Sequence, residues 1–142
     1  MSHSLSKVWI HAIFGTKDKQ PLIVKDHSFP IHRRITERFE KNGCQVQIIN
    51  GIPDHVHVLF LMPTDKSIAE IMKVVKGESS HWINRQDFMK TKFAWQIGYG
   101  VFSVSESQVE VVEEYIKNQV EHHRKRTYQE EVDLFLKNYG LG

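Results

Sequence analysis

The sequence lacks a second cysteine, a long apolar run and a strong excess of charge, and each absence excludes a class of protein. Its single cysteine, Cys44, excludes an intrachain disulfide and a cysteine-based zinc cluster. No apolar run approaches the roughly 20 residues that a membrane-spanning helix needs. The 19 Lys and Arg residues are nearly balanced by 17 Asp and Glu residues. We therefore expect a cytoplasmic protein without a membrane span, on which any nucleic-acid-binding surface is local.

Apolar periodicity predicts the order β-α-β-β-α-β followed by two further helices. No repeat, low-complexity tract or Gly/Ser-rich linker interrupts it, so we expect one domain over residues 1–142. The predicted strands cover residues 8–14, 44–49, 55–61 and 95–104, and the predicted helices cover residues 28–42, 67–84, 107–124 and 127 onwards. This order is typical of a ferredoxin-like α+β fold, a four-stranded antiparallel sheet with both crossover helices on one face. The other face then needs cover from the two extra C-terminal helices or from a second subunit.

The predicted helix starts rest on local signals. Ser28 precedes Phe29-Pro30, and proline is tolerated where a helix begins. A Ser or Thr followed three residues later by Glu predicts a capping box, in which each side chain bonds the other residue's backbone N–H. We expect such boxes for the pairs Ser67 and Glu70, Ser107 and Glu110, and Thr127 and Glu130.

The sharpest chemical feature is the segment His55-Val56-His57 in the third predicted strand. Side chains two apart in a strand share one face, roughly 7 Å apart, so the two imidazoles project together while Val56 points into the core. Paired imidazoles can share a divalent metal ion, and Asp54 offers a carboxylate at the edge of the turn. A pair of solvent-facing strand histidines is the alternative, and the spacing alone does not decide between the two.

Tyr115 and Gln119 lie four residues apart in the third predicted helix, so their side chains share one helical face. A phenol can attack a phosphodiester and hold the product covalently when a metal ion or another cation stabilises the phosphate. Gln119 offers a neutral oxygen ligand to such an ion. The alternative is a packing role for Tyr115 and a solvated Gln119.

The densest basic run, residues 122–126, lies between the last two predicted helices. Its cations can contact phosphates, or they can stabilise the end of a helix through its dipole. Basic residues on the second predicted helix either extend a phosphate-binding surface or form an ordinary solvent-exposed face. The candidate DNA-binding residues are Lys17, Lys73, Lys76, Arg124, Lys125 and Arg126.

The sequence resembles the small single-tyrosine transposases of the insertion sequence 200/605 class and their REP-associated relatives. The resemblance covers most of the chain. The segments that carry it, in this order and spacing, are Thr16-Lys17 with Pro21-Leu22, Pro53-Asp54-His55-Val56-His57, Lys76-Gly77-Glu78-Ser79-Ser80 and Tyr115-Ile116-Lys117-Asn118-Gln119.

The resemblance implies a metal-dependent DNA transposase of the HUH endonuclease type. His55 and His57 then bind a divalent ion, Mg²⁺ or Mn²⁺, and Gln119 is a further ligand. Tyr115 is the catalytic nucleophile, which cleaves single-stranded DNA beside hairpins to leave a 5′-phosphotyrosine and a free 3′-hydroxyl. A 3′-hydroxyl can reverse this attack and rejoin the strands. The resemblance also implies a homodimer in which the tyrosine helix of one subunit completes the histidine site of the other.

Two functions of other classes stay open. A domesticated dimer that binds single-stranded or hairpin nucleic acid without cutting it would carry the same motifs. A small-molecule metalloenzyme that uses the histidine pair is less well supported, because the sequence has no compact zinc-ligand set such as His-Glu-x-x-His. Tyr128 and Tyr139 are rival nucleophiles, but neither has a Gln four residues later.

Overall fold

Within the described residues, four strands and five helices follow the predicted order, except that the third predicted helix is divided into two. The computed structural model describes residues 5–122 and 126–141, the side chain of His122 excepted. The strands are β1 (Trp9–Gly15), β2 (Gln45–Ile52), β3 (His55–Leu61) and β4 (Gly100–Val104), and the helices are α1 (Lys25–Lys41), α2 (Ile68–Asn84), α3 (Val109–Lys117), α4 (Gln119–His122) and α5 (Tyr128–Asn138). Single 3-10 turns at Lys17–Lys19 and Glu106–Gln108 precede α1 and α3. No helix within the described residues is long and apolar enough to cross a membrane.

The four strands form one antiparallel sheet in the order β2-β3-β1-β4. This order confirms the ferredoxin-like α+β prediction. The two central strands, β1 and β3, are buried almost throughout, because both faces of the sheet are covered. Any side chain on these strands is therefore held in place from two sides, whichever face it occupies.

Each face of the sheet has its own apolar core. Alternate residues of β1 and β3, such as Ala12 and Val58, pack under α1 and α2 in the larger core. The opposite set, including Trp9 and Leu59, packs against α3 through Ile116 in a smaller core. The second face is thus covered by C-terminal helices of the same chain, one of the two arrangements expected from the sequence.

The capping-box predictions are confirmed for α2 and α5 and wrong for α3. Ser67 and Thr127 both accept from the backbone N–H of the Glu three residues later, whose side chain bonds back. Before α3 the chain instead forms a 3-10 turn, which makes Gln108 the N-cap and leaves it without a side-chain cap. The Ser107 and Glu110 pair therefore forms no box.

The predicted start of α1 is also wrong, because the helix begins at Lys25 and Pro30 lies inside it. The hydroxyl of Ser28 donates to the Lys25 carbonyl at 3.0 Å, as a residue within a helix can. The upstream turn is held by a long-range contact, in which the His27 ring stacks on Phe88 with centroids 4.3 Å apart. Local capping signals contain no trace of such a contact.

Strand β4 is shorter than predicted and begins at Gly100, not at Trp95. Trp95 forms only an isolated bridge with Thr16. Gly98 interrupts the extended chain between them, because its φ of +92° lies in the left-handed region that glycine tolerates best. The other strands agree with prediction except at their ends.

The turn between β2 and β3 leaves no room for a side chain at position 51, and we expect Gly51→Ala to destabilise the protein. A Cβ there would lie 2.2 Å from the His55 carbonyl oxygen. The strands must then separate, which costs about 2 kcal/mol or more. In α2, Gly77→Ala is the control: a Cβ meets nothing within 4 Å, and alanine favours the helix by about 1 kcal/mol. Urea unfolding measures both. A Gly51→Ala protein as stable as the wild type would contradict this geometry.

Candidate metal and nucleophile site

The two histidines of the His-x-His segment lie side by side on the second face of the sheet. His55 and His57 are both 0% exposed, and Val56 between them is buried on the opposite face. The shared face predicted from strand periodicity is confirmed, and the alternative of solvent-facing histidines is wrong. Their burial raises the question of which groups satisfy the four ring nitrogens.

One carboxylate, that of Glu131 on α5, meets both imidazoles. Its Oε1 lies 2.7 Å from Nε2 of His57 and 3.2 Å from Nε2 of His55. Glu131 is itself 2% exposed. One potential ligand atom from each of these three residues lies within 4.8 Å of the others. Two imidazole nitrogens and a carboxylate oxygen so close together form a donor set that fits a divalent transition-metal ion.

Tyr115 and Gln119 reach the same carboxylate from the other side. The Tyr115 hydroxyl donates to Oε2 of Glu131 in a short hydrogen bond, and Nε2 of Gln119 lies 3.4 Å from that oxygen. Oε1 of Gln119 lies 3.3 Å from Nε2 of His55. The structure therefore brings together all four predicted residues, the nucleophile and the three ligands, around a fifth that was not predicted.

A break between α3 and α4 turns Gln119 inward. The third helix was predicted to continue to about Arg124, but α3 ends at Lys117. Asn50 of β2 donates through Nδ2 to the carbonyls of Ile116 and Lys117, both at 3.1 Å, and so satisfies acceptors that the helix end leaves free. Gln119 opens α4 and is 0% exposed.

A second layer of side chains holds the two imidazoles from behind. Oδ1 of Asp54 lies 2.8 Å from Nδ1 of His55, and Nε2 of His11 lies 2.8 Å from Nδ1 of His57. The ring of Tyr128, on α5, stacks on His55 with centroids 4.2 Å apart. Each predicted metal ligand on β3 is therefore held on two sides.

Charge in this site is set by hydrogen bonds that outweigh burial. Burial lowers the pKa of His55, but hydrogen bonds to Asp54 and Glu131 prevail and hold it above its ordinary value. Burial raises the pKa of Glu131, but hydrogen bonds from His55 and His57 hold it well below its ordinary range. Burial keeps the pKa of His11 well below its ordinary value, so that ring is neutral at pH 7. Without a cation, these contacts favour the ionised carboxylate of Glu131 and the protonated form of His55.

The phenol of Tyr115 is protonated in this arrangement. Burial and the hydrogen bond to Glu131 raise its pKa well above its ordinary value. Tyr128, the rival on α5, also lies beside the pair, and burial raises its pKa to about 12. Of the two, Tyr115 alone has its hydroxyl bonded to the group that joins both histidines, among the hydrogen bonds of the described residues.

Two residues of the site, Glu131 and His11, were missed in the sequence. Each is a polar residue that interrupts an apolar pattern in the sequence. Glu131 falls on the stripe of α5 that includes Tyr128 and Phe135, where a carboxylate interrupts an apolar face. His11 is a polar residue in the otherwise apolar strand β1. A buried polar residue needs a partner, so each interruption indicates a contact elsewhere.

The predicted DNA-binding residues come from several elements: a 3-10 turn, α2 and the segment before α5. Lys17, Lys73 and Arg126 are exposed, and Arg126 is near enough to Tyr115 to favour its ionised form. Lys76 is hydrogen-bonded within the protein, since its Nζ donates to the carbonyls of Gln96 and Gly98 at 2.7 Å. Arg124 and Lys125 lie outside the described residues.

Curated relatives of the chain are transposases. Residues 4–119 match the family described as Transposase IS200 like. The ISDra2 transposase TnpA of Deinococcus radiodurans is 25% identical over 118 residues, which cover 77% of this chain and 81% of that protein. The transposase for insertion sequence element IS200 of Salmonella typhimurium is 24% identical over 127 residues, 85% of this chain and 82% of that protein.

Two solved structures share the fold. A crystal structure of a Deinococcus radiodurans chain described as a transposase aligns with a TM-score of 0.64 at 23% identity, over 84% of this chain and 95% of that one. The structure of a REP-associated tyrosine transposase bound to a REP hairpin aligns with a TM-score of 0.59 at 12% identity, over 83% of this chain and 72% of that one. The fold is thus one that tyrosine transposases use.

The family match spans most of the chain, and the protein therefore belongs to the IS200-like transposase family. The resemblance read from the sequence motifs is confirmed. Membership implies an enzyme that cleaves DNA.

The buried pair of Glu131 and His55 makes stability depend on pH, and Glu131→Gln should weaken that dependence, while the contact of His55 with Asp54 remains. A depressed Glu pKa stabilises the fold above about pH 4.5, and a raised His pKa stabilises it below about pH 6.5. Between about pH 4.5 and pH 6.5, the free energy of unfolding of the wild type should therefore exceed that of Glu131→Gln by about 3 kcal/mol. Below and above this pH range the difference should be smaller. Urea unfolding from pH 4 to pH 8 measures the difference.

Asp133→Asn is the control for this pH series, because it removes an exposed carboxylate from the same helix. It should change stability by less than about 0.5 kcal/mol at each pH. A Glu131→Gln deficit that is constant across the series would rule out the ion pair as its source.

Proposed function

We propose that this protein is a single HUH endonuclease domain that cleaves and rejoins single-stranded DNA at hairpin-flanked ends, through a covalent bond to Tyr115. One observation carries the proposal: the Tyr115 hydroxyl and the Nε2 atoms of His55 and His57 converge on one buried carboxylate. A nucleophile and a potential cation site are thereby within reach of one phosphate. Among the similar structures, the REP-associated tyrosine transposase bound to a REP hairpin supports a hairpin as partner.

The residues that would hold a divalent ion are His55, His57 and Glu131, with the amide oxygen of Gln119 as a further ligand. Imidazole and carboxylate donors together suit Mn²⁺, and carboxylate and amide oxygens also suit Mg²⁺. A bound ion of this kind would supply a positive charge that stabilises the phosphate during attack. The second layer of Asp54 and His11 keeps the two imidazoles oriented towards Glu131.

Tyr115 supplies the nucleophile and needs no nucleotide cofactor. Its oxygen forms a bond to phosphorus as the bond from phosphorus to the 3′ oxygen breaks, and the phenol gives up its proton while the departing oxygen gains one. The products are a 5′-phosphotyrosine and a free 3′-hydroxyl. The phosphodiester energy is retained, so a 3′-hydroxyl of another strand can reverse the step and join DNA without ATP.

Access to the site requires movement of α5. The two histidines and Gln119 have no exposed surface, and Glu131 and Tyr128 of α5 lie over them. A phosphodiester therefore reaches the two histidines beside Tyr115 only when α5 is displaced from the sheet. Gln119, which belongs to α4, would then remain beside His55 as the third ligand that the resemblance implies.

The dimer stays a prediction. One chain by itself brings Tyr115, Gln119 and both histidines together. The prediction that two subunits share each site in trans rests only on the resemblance to the transposase family.

Tyr115→Phe should abolish covalent capture of DNA, because phenylalanine has no attacking oxygen. The substrate is a single-stranded oligonucleotide that carries a hairpin, incubated with Mn²⁺ and resolved on a denaturing gel. Tryptic mass spectrometry of the wild-type adduct should place the nucleotide on the peptide containing Tyr115. Hairpin binding by the variant should stay within a few-fold of wild type.

Tyr139→Phe is the matched control, since its hydroxyl donates to Ser103 away from the histidines, and it should still form the adduct. Mapping of the adduct to Tyr128 would reject Tyr115 as the nucleophile. Hairpin binding without any adduct or cleavage in the wild type would favour the non-catalytic nucleic-acid-binding alternative.

His57→Ala should remove Mn²⁺-dependent nicking of the labelled strand, with a loss of about 100-fold or more, because one of the paired imidazoles is gone. His81→Ala, at an exposed position of α2, is the control and should nick at the wild-type rate. Circular dichroism shows that both are folded. Undiminished nicking by folded His57→Ala would refute a metal role for the histidine pair.

A further inference from the structure

A buried histidine outside the predicted ligand set, His11, contacts the back of His57. In the β1–β3 register His11 is opposite Leu59, so its contact with His57 runs diagonally between the strands. Nε2 of His11 is 2.8 Å from Nδ1 of His57, and the two ring centroids are 5.0 Å apart. His11 is 1% exposed. The contact is therefore within hydrogen-bond distance and largely shielded from solvent.

This placement excludes His11 as a ligand of the same cation. His57 presents Nε2 to Glu131 at 2.7 Å and Nδ1 to His11. Because the two nitrogens of an imidazole point in different directions, His11 lies behind the ring, on the side away from the carboxylate. Its effect on a cation can only be exerted through His57.

A cation at Nε2 of His57 would require a partner on the other nitrogen. An imidazole binds a metal through a lone pair, so the remaining ring proton of a neutral His57 must then be on Nδ1. A buried N–H without an acceptor costs roughly 1–3 kcal/mol. Nε2 of His11, at 2.8 Å, is placed to accept that hydrogen bond when the His11 ring carries its proton on Nδ1.

In the metal-free chain the same contact works with the roles reversed. A carboxylate oxygen of Glu131 can only accept, so Nε2 of His57 carries the proton of this contact. A His57 ring with that proton alone has a bare Nδ1, which can accept from Nε2–H of His11. Imidazole can present either a donor or an acceptor at Nε2 by changing tautomer. A histidine at position 11 therefore suits both states, and an aliphatic residue suits neither.

We propose that His11 is a positioning residue that fixes the tautomer and orientation of His57 for divalent cation binding. The proposal rests on the proposed function, because it takes His57 as a ligand. The Asp54 carboxylate holds His55 in the same way, through Nδ1 at 2.8 Å. Each histidine of the pair thus has its own partner, one in the turn before β3 and one in the neighbouring strand β1.

The test compares two variants, His11→Gln and His11→Met, whose new side chains are similar in length. Both are made in the full metal-free chain. Mn²⁺ is titrated into each protein and its affinity is measured by calorimetry. The glutamine amide can donate or accept, whereas the methionine side chain offers no strong hydrogen bond. We expect His11→Met to bind Mn²⁺ about 10- to 100-fold more weakly than wild type, and His11→Gln to stay within about 3-fold.

Phe102→Leu controls for packing, because the Phe102 ring is also buried and lies 6.5 Å from that of His11. It should leave Mn²⁺ affinity within about 3-fold of wild type. Wild-type affinity in His11→Met, or equal losses in the methionine and glutamine variants, would overturn the hydrogen-bonding role. Should His11→Met not fold, His11→Leu takes its place and is judged in the same way.

His57→Ala separates this proposal from the one on which it rests. If His57→Ala loses Mn²⁺ binding while His11→Met retains it, only the role of His11 is refuted. If His57→Ala binds Mn²⁺ as tightly as wild type, the histidine pair is not the metal site, and both proposals are refuted.

Discussion

The structure of the site depends on one buried carboxylate. Glu131 is 2% exposed, and a charge so deeply buried is tolerated only when hydrogen bonds and an opposite charge compensate it. Both imidazoles of β3, the amide of Gln119 and the phenol of Tyr115 provide that compensation. The carboxylate therefore joins three elements that are far apart in the chain: a central strand, the broken helix α3–α4 and the last helix. The same contact fastens α5 over the sheet face that a ferredoxin-like fold would otherwise leave open.

This arrangement has two opposing consequences for chemistry. It collects a potential nucleophile and metal-binding donors within one small volume, where electrostatic interactions are stronger than in water. It also closes that volume, since α5 brings Glu131 and Tyr128 over the histidines. The described form is therefore suited to holding a cation, and the proposed cleavage of a DNA strand requires a form in which α5 has moved. Gln119 is placed beside His55 by the helix break and the Asn50 cap, and it also contacts α5 through Glu131.

Strand periodicity was sufficient to place His55 and His57 on one face, because every second side chain of a strand shares a face regardless of the rest of the fold. The spacing of Tyr115 and Gln119 predicted a shared helical face, but the helix breaks after Lys117, where Asn50 of β2 bonds the carbonyls of Ile116 and Lys117. That contact comes from a distant strand and cannot be seen in the sequence of α3. Glu131 and His11 could not be assigned from sequence, because their roles depend on how α5 docks and on the register of β1 with β3. The start of α1 was predicted wrongly for a similar reason. The helix begins upstream of its local signals, where the His27 ring stacks on the distant ring of Phe88.

The most direct test of the central claim is a crystal structure of the full chain soaked in Mn²⁺, with the ion located by its anomalous scattering. The account predicts one strong peak within coordination distance of Nε2 of both His55 and His57, with an oxygen of Glu131 or Gln119 as a further ligand. It also predicts that the oxygen of Tyr115 faces that peak. A peak at other residues only, or histidines that stay unliganded at saturating Mn²⁺, would contradict it.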